Sequence, residues 1–221
     1  MKRAFQRFAS IFVLACVISC GGGNGAGSDD SLAKTLEALN VTNLSSSGFP
    51  WNGAAPGLLK RWELPIPVKT GGDPRAIAAI DEIETQLGRV IFDRTSIVNL
   101  PDASITRGII VSVGTAYLPP GTSNPAAYCA NASSGPNQGG WPFPAATTRG
   151  VMAFRMYVNL DNPFCKADQS IAVHEFGHAL GMGVHFEGFG FGPAISSLFW
   201  RVLRTIYANA PGTPAASIVV P

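Results

Sequence analysis

His174-Glu175-Phe176-Gly177-His178-Ala179-Leu180-Gly181-Met182-Gly183-Val184-His185 contains every histidine of the 221-residue chain. Two histidines four apart on a helix project from one face, so both imidazoles can reach one metal ion, and the glutamate beside the first can reach water on that ion. The stretch therefore predicts a helix carrying a mononuclear metal site, with His174 and His178 as ligands and Glu175 as general base. Asp168 or Ser170 can cap the start of that helix, and Gly181 is its stop. At about 100° per residue, Ala172, Val173, Phe176, Ala179 and Leu180 share one face. His174, Glu175 and His178 share the other, with Ile171 as its apolar exception. Gly177, near the edge of the polar face, either leaves room for a substrate backbone or permits close helix packing.

Upstream, strand and helix signals alternate. Residues 64–68 can extend despite their prolines, as an edge or first strand. Asp73 is a good N-cap, Pro74 suits a first turn, and Ile77, Ile80, Ile83 and Leu87 recur at helical spacing before Gly88. That register turns Asp81, Glu82 and Glu84 to solvent. Two apolar runs follow, 89–98 and 108–118, the second rich in β-branched residues and read as a buried strand. Strand, helix and strand in that order imply a right-handed parallel crossover. Residues 119–150, rich in Gly, Pro, Ser and Asn, read as a long loop, and such loops often carry function. Residues 151–160 return to strand character until Asp161-Asn162-Pro163. Beyond the histidines, Phe186, Phe189 and Phe191 interleave with Gly188, Gly190 and Gly192, either walling an apolar pocket or burying the turn beneath the metal. A last helix over 196–208 places Leu198, Phe199, Val202, Leu203 and Ile206 at core spacing and leaves Arg201 and Arg204 solvated. The order of elements predicts an α+β fold.

With 46% apolar and 14% charged residues the chain can build a core, and its length suits one domain behind a leader. Lys2, Arg3 and Arg7, an apolar stretch over 8–18, and Val17-Ile18-Ser19-Cys20 before Gly21-Gly22-Gly23 read as export machinery. The pattern resembles a bacterial lipoprotein signal. That resemblance implies a signal peptide over 1–19, lipid on the Cys20 sulfur, and anchoring to an exported membrane face, at the outer membrane or cell surface where there is one. A lipidated Cys20 and flexible tether would then occupy 20–57 and the folded domain 58–221, with 43–57 either tether or ordered arm. A cut before Cys16, an ordinary secretory signal and an uncleaved anchor are the alternatives, although the apolar stretch is short for a membrane span. Without the leader, 16 basic residues become 13 against 14 acidic ones, a net of −1, which argues against nucleic acid as a partner. Cys129 and Cys165 are then the remaining thiols, and an even count in an oxidising compartment favours one disulfide over two unpaired cysteines.

HExxHxxGxxxH, spelled by His174, Glu175, His178, Gly181 and His185, resembles the zinc-binding signature of the metzincin metallopeptidases, whose usual form is HExxHxxGxxH. In this chain Val184 occupies the usual third-histidine position and His185 arrives one residue later, with Gly183 the expected place to absorb the extra residue. The family's methionine below the metal is absent, since none follows Met182. Zinc held by His174, His178 and His185 is what the resemblance implies. Glu187, the last acidic residue, is the substitute ligand. It further implies a zincin-like fold: a twisted mixed sheet, a backing helix, an active-site helix and a small C-terminal helical subdomain. Residues 151–158 would be either its substrate-aligning edge strand or an internal strand, and Tyr207 an assisting or merely packed aromatic. Three neutral imidazoles leave zinc its charge and an open position, where water is acidified to a pKa of about 7. Glu175 would take a proton from that water and pass it to the departing amine of a peptide substrate. The expected protein is a monomeric zinc peptidase; the alternative is a noncatalytic surface lipoprotein with a structural zinc site or a partner-binding role.

Overall fold

In the computed structural model, which describes residues 26–45, 55–139, 149–191 and 195–221, the chain adopts a mixed α+β fold. Its helices there are α1 (Ala26–Leu39), α2 (Pro74–Leu87), α3 (Gln169–Ala179) and α4 (Ser197–Ala208). Its strands are β1 (Arg61–Trp62), β2 (Ile66–Lys69), β3 (Phe92–Asp93), β4 (Gly108–Val113), β5 (Ala130–Ser133), β6 (Val151–Met152), β7 (Arg155–Leu160), β8 (Phe186–Glu187) and β9 (Gly190–Phe191).

Five strands form the main sheet in the order β3-β2-β4-β7-β5. β2 runs parallel to β3 and β4, β4 runs parallel to β7, and β5 closes the edge antiparallel to β7. The sheet decides two readings left open, 64–68 as its first strand in chain order and not an edge, and 151–158 as internal, and it corrects one, the loop over 119–150. β2 lies inside the sheet, with the two-residue β3 outside it, and β3 is all the strand that the run 89–98 yields. β7 is internal, which accounts for the burial of every residue from Met156 to Leu160. The edge strand β5 comes from the segment read as loop, because Ala130-Asn131-Ala132-Ser133 carries no β-branched or aromatic residue to announce it. Side chains fasten that segment: the Tyr117 amide donates to Asn131 Oδ1 at 2.8 Å, and Asn159 Nδ2 donates to Ser133 Oγ at 2.8 Å.

α2 forms where its caps say it should. The Asp73 carboxylate accepts from the amides of Arg75 and Ala76, Pro74 starts the helix, and Gly88 ends it at φ 67°. Its buried stripe is Ala76, Ala79, Ile80 and Ile83, whereas Ile77 is exposed. Glu84 is not solvated as expected: its Oε1 accepts from the amides of Ile91 and Phe92 at 2.8 and 2.9 Å, and Oε2 pairs with Arg94 at 2.6 Å. The helix thereby fixes the chain that enters β3. α2 packs against α3, with Phe92 edge-on to Phe176 at 5.9 Å.

The tether expected over 20–57 is ordered where it is described. α1 packs against α4, Ala38, Leu39 and Leu44 join the core, and a π-helical turn over Asn40–Leu44 buries Thr42 and Asn43. The leader, Cys20 and residues 46–54 lie outside the described residues. Among the described residues no helix is long and apolar enough to cross a membrane. Cys129 and Cys165 form a disulfide that ties the start of β5 to the approach to α3.

Candidate metal centre

α3 starts where Asp168 Oδ1 accepts from the Ile171 amide at 2.9 Å and from Ser170 Oγ at 2.7 Å, so Asp168 is the cap. Its approach is braced by Asp161, whose carboxylate accepts from Arg75 Nη1 and from the Ala167 amide at 2.7 and 2.8 Å. Ala172, Val173, Phe176 and Ala179 are buried in the core, which turns the opposite face to a cleft. Gly177 serves packing: a Cβ there would stand 2.7 Å from the Phe199 ring and 2.9 Å from Met182 Cε.

The carbonyls at the end of α3 are satisfied by side chains rather than by further helix. Trp62 Nε1 donates to Ala179 O at 2.7 Å, the Tyr207 hydroxyl to Leu180 O at 3.1 Å, and Asn43 Nδ2 to Gly181 O at 2.7 Å. Gly181 turns at φ 113°, a conformation that suits glycine, and a Cβ would meet Lys60 O at 2.7 Å. Gly183, expected as the permissive position, is not among the positive-φ glycines.

Beyond that bend the three histidines converge. His185 Nε2 lies 3.0 Å from His174 Nε2 and 3.0 Å from His178 Nε2, and one ligand atom from each residue falls within 4.8 Å of the others. Ligands about 2.0 Å from one tetrahedral ion stand about 3.3 Å apart, so the spacing suits a single metal. His178 Nδ1 lies 2.6 Å from Met182 O. As donor to that carbonyl it leaves the Nε2 lone pair for the group's centre, as a histidine that binds metal through Nε2 does when its other nitrogen is held by a carbonyl. Burial, with His174 and His185 adding repulsion, holds the His178 pKa well below its ordinary 6.5; burial lowers His185 too. Both imidazoles are therefore neutral at pH 7, the form that binds metal.

Glu175 is 7% exposed, and burial pushes its carboxyl up to about 8 against the opposing hydrogen bond from the Ala132 backbone. Edge strand β5 thus touches the candidate base directly, a contact with no sequence signal. The cleft beside these residues is ≈ 810 Å³ and includes Tyr117, Tyr128, Ala132, Ile171 and Val184 in its walls.

Phe189 lies beneath the group. Fully buried, its ring centroid is 4.4 Å from that of His174, 4.6 Å from His178 and 5.3 Å from His185. Phe186 is buried beside it, while Phe191 is 60% exposed and edge-on to His185 at 5.6 Å. Gly190, at φ 79°, lets the chain return against that imidazole, since a Cβ would stand 2.4 Å from the ring. Gly192 lies outside the described residues.

Neither Glu187, the substitute ligand, nor Tyr207, read as assisting or packed, joins the group. Glu187 is exposed on β8 and is not part of the histidine cluster. Tyr207 is buried under Arg61, with its hydroxyl spent on Leu180 O. No family model, curated protein or solved structure matches this chain.

Proposed function

We propose that this chain is a zinc-dependent peptidase with a divergent metzincin-like, zincin-type fold. The observation that carries the reading is the convergence of three imidazoles beside a buried carboxylate in the lining of a cleft. Three nitrogen donors at this spacing fit zinc, and His174, His178 and His185 would hold it. Structural zinc sites are closed by four protein ligands, whereas this cluster, among the described residues, has three and opens onto solvent space. When bound, zinc supplies a Lewis acid and an acidified water.

The protein's own groups account for the rest. Glu175 accepts a proton from the attacking water and delivers it to the leaving amine. A carboxyl raised to about 8 is held protonated until a positive charge is near, and a dication at the histidines favours its ionised, basic form. Among the described residues β5 pairs with β7 alone, so its other edge can add an extended peptide as a further strand beside Glu175. The leader fits an exported protein held to a membrane through lipid on Cys20, and one copy of the chain carries the whole site.

The test is hydrolysis of a broad peptide library by the purified protein before and after chelation, and by Glu175→Gln. The proposal predicts cleavage that chelation abolishes and zinc restores, with Glu175→Gln reduced by at least about 100-fold while retaining its metal. Retained zinc with no turnover would favour a binding protein with a structural metal.

A further inference from the structure

We propose that Thr42 and Asn43, on the arm before the domain, are positioning residues for the third metal ligand. The inference rests on the metal reading above and extends it to a part of the chain far away in sequence. Only five residues, 180–184, separate α3 from His185, and the arm holds three of them. Asn43 Nδ2 donates to Gly181 O at 2.7 Å, the Gly183 amide donates to Thr42 O at 2.8 Å, and Thr42 Oγ1 donates to Val184 O at 2.7 Å. His178 holds a fourth through Met182 O. The bend that presents His185 is therefore set between its partner histidine on one side and the arm on the other.

The arm is in turn locked to the domain. Asn43 Nδ2 donates to Lys60 O at 2.7 Å and its Oδ1 accepts from the Lys60 amide at 2.9 Å. The Lys60 ammonium, fully buried, donates to Asn43 O, Leu44 O and Leu58 O at 2.8, 3.3 and 3.1 Å. One lysine thus gathers the carbonyls of the π turn, and one asparagine joins it to the turn after α3. A motif with an extra residue before its third histidine needs its register fixed from outside, and these contacts supply that register. Loss of the hydrogen bonds that orient metal ligands typically weakens metal binding 10- to 100-fold.

The experiment uses the full chain loaded with zinc, with affinity read by competition against a chromogenic chelator and geometry by the visible spectrum of the cobalt-substituted protein. Thr42→Val, nearly isosteric, is expected to weaken zinc binding about 10-fold, and Asn43→Ala up to about 100-fold, each with an altered cobalt spectrum. Val68→Ala, a cavity in β2 away from the arm, serves as the control; it is expected to lower Tm while leaving zinc affinity and the cobalt spectrum unchanged. Folded Thr42→Val with wild-type affinity and spectrum would overturn the proposal, as would a loss of affinity in Val68→Ala that matches it. Should Asn43→Ala not fold, Thr42→Val still decides. The two readings fail differently: wild-type protein that takes up no zinc overturns the metal centre and the clamp together, whereas tight binding by wild type and both arm variants overturns the clamp alone.

Discussion

His185 is the residue on which the site turns, because its Nε2 is the atom 3.0 Å from both of the others. Removing it leaves two imidazoles from one helix turn, which hold zinc weakly, so His185→Ala is expected to lose bound metal on dialysis while its apo form keeps the wild-type circular dichroism. Zinc retained at wild-type stoichiometry would place the third ligand elsewhere. Phe189, packed on all three rings, is the second sensitive position: Phe189→Ala is expected to destabilise the protein by about 3 to 5 kcal/mol, measured by urea unfolding of the apo form. His174, Glu175 and His178 were legible because a four-residue spacing on a helix decides their direction alone. The role of Phe189 was one of two readings the sequence left open, since Phe-Gly alternation does not say which ring turns inward. Thr42, Asn43 and Lys60 were not legible, because their bonds, that of Lys60 to Leu58 apart, span from 16 to 142 residues and no periodic pattern encodes them.

At the scale of elements, caps made α2 and the start of α3 readable from Asp73 and from Asp168 or Ser170, of which Asp168 is the cap, and core spacing made α4 readable. Strand β5 was missed because what holds it is backbone pairing with β7 and the side chains of Asn131 and Ser133, not the propensity of its residues. The joint between β7 and α3 depends on Asp161, which is 2% exposed and adopts φ 64°. Burial pushes its carboxyl up, but the hydrogen bonds from Arg75, Ala167 and Lys166 outweigh burial and hold it below its ordinary 3.8. A depressed carboxyl contributes stability that is present above pH 3.8 and lost as pH falls below it, because the unfolded state then binds more protons. Asp161→Ala is accordingly expected to cost about 3 kcal/mol at pH 7 and to flatten the loss of stability on acidification, both read from urea midpoints across pH. An unchanged pH profile would show that Asp161 does not carry it.

For the molecule as a whole, the disulfide joins parts that are distant in sequence, and the histidine group gathers parts that are near. The Cys129–Cys165 bridge closes a loop of 36 residues, and its reduction is expected to lower stability by about 3 to 4 kcal/mol in the chain-entropy model. Zinc that binds only the folded state adds stability by mass action, about 4 kcal/mol at a thousandfold excess over Kd, so chelation is expected to lower Tm by roughly 10 °C. The α+β class and the placement of the histidine helix were legible from the order of apolar runs. The order of strands within the sheet, and the docking of the arm against α4, depend on packing between segments and were not. The central claim is that three histidines hold one ion. Anomalous diffraction at the zinc edge from crystals of zinc-loaded protein tests it directly. A single peak per chain is expected, about 2.1 Å from Nε2 of His174, His178 and His185. An empty map at that point, or a peak bound elsewhere with the His185 ring turned away, would contradict it.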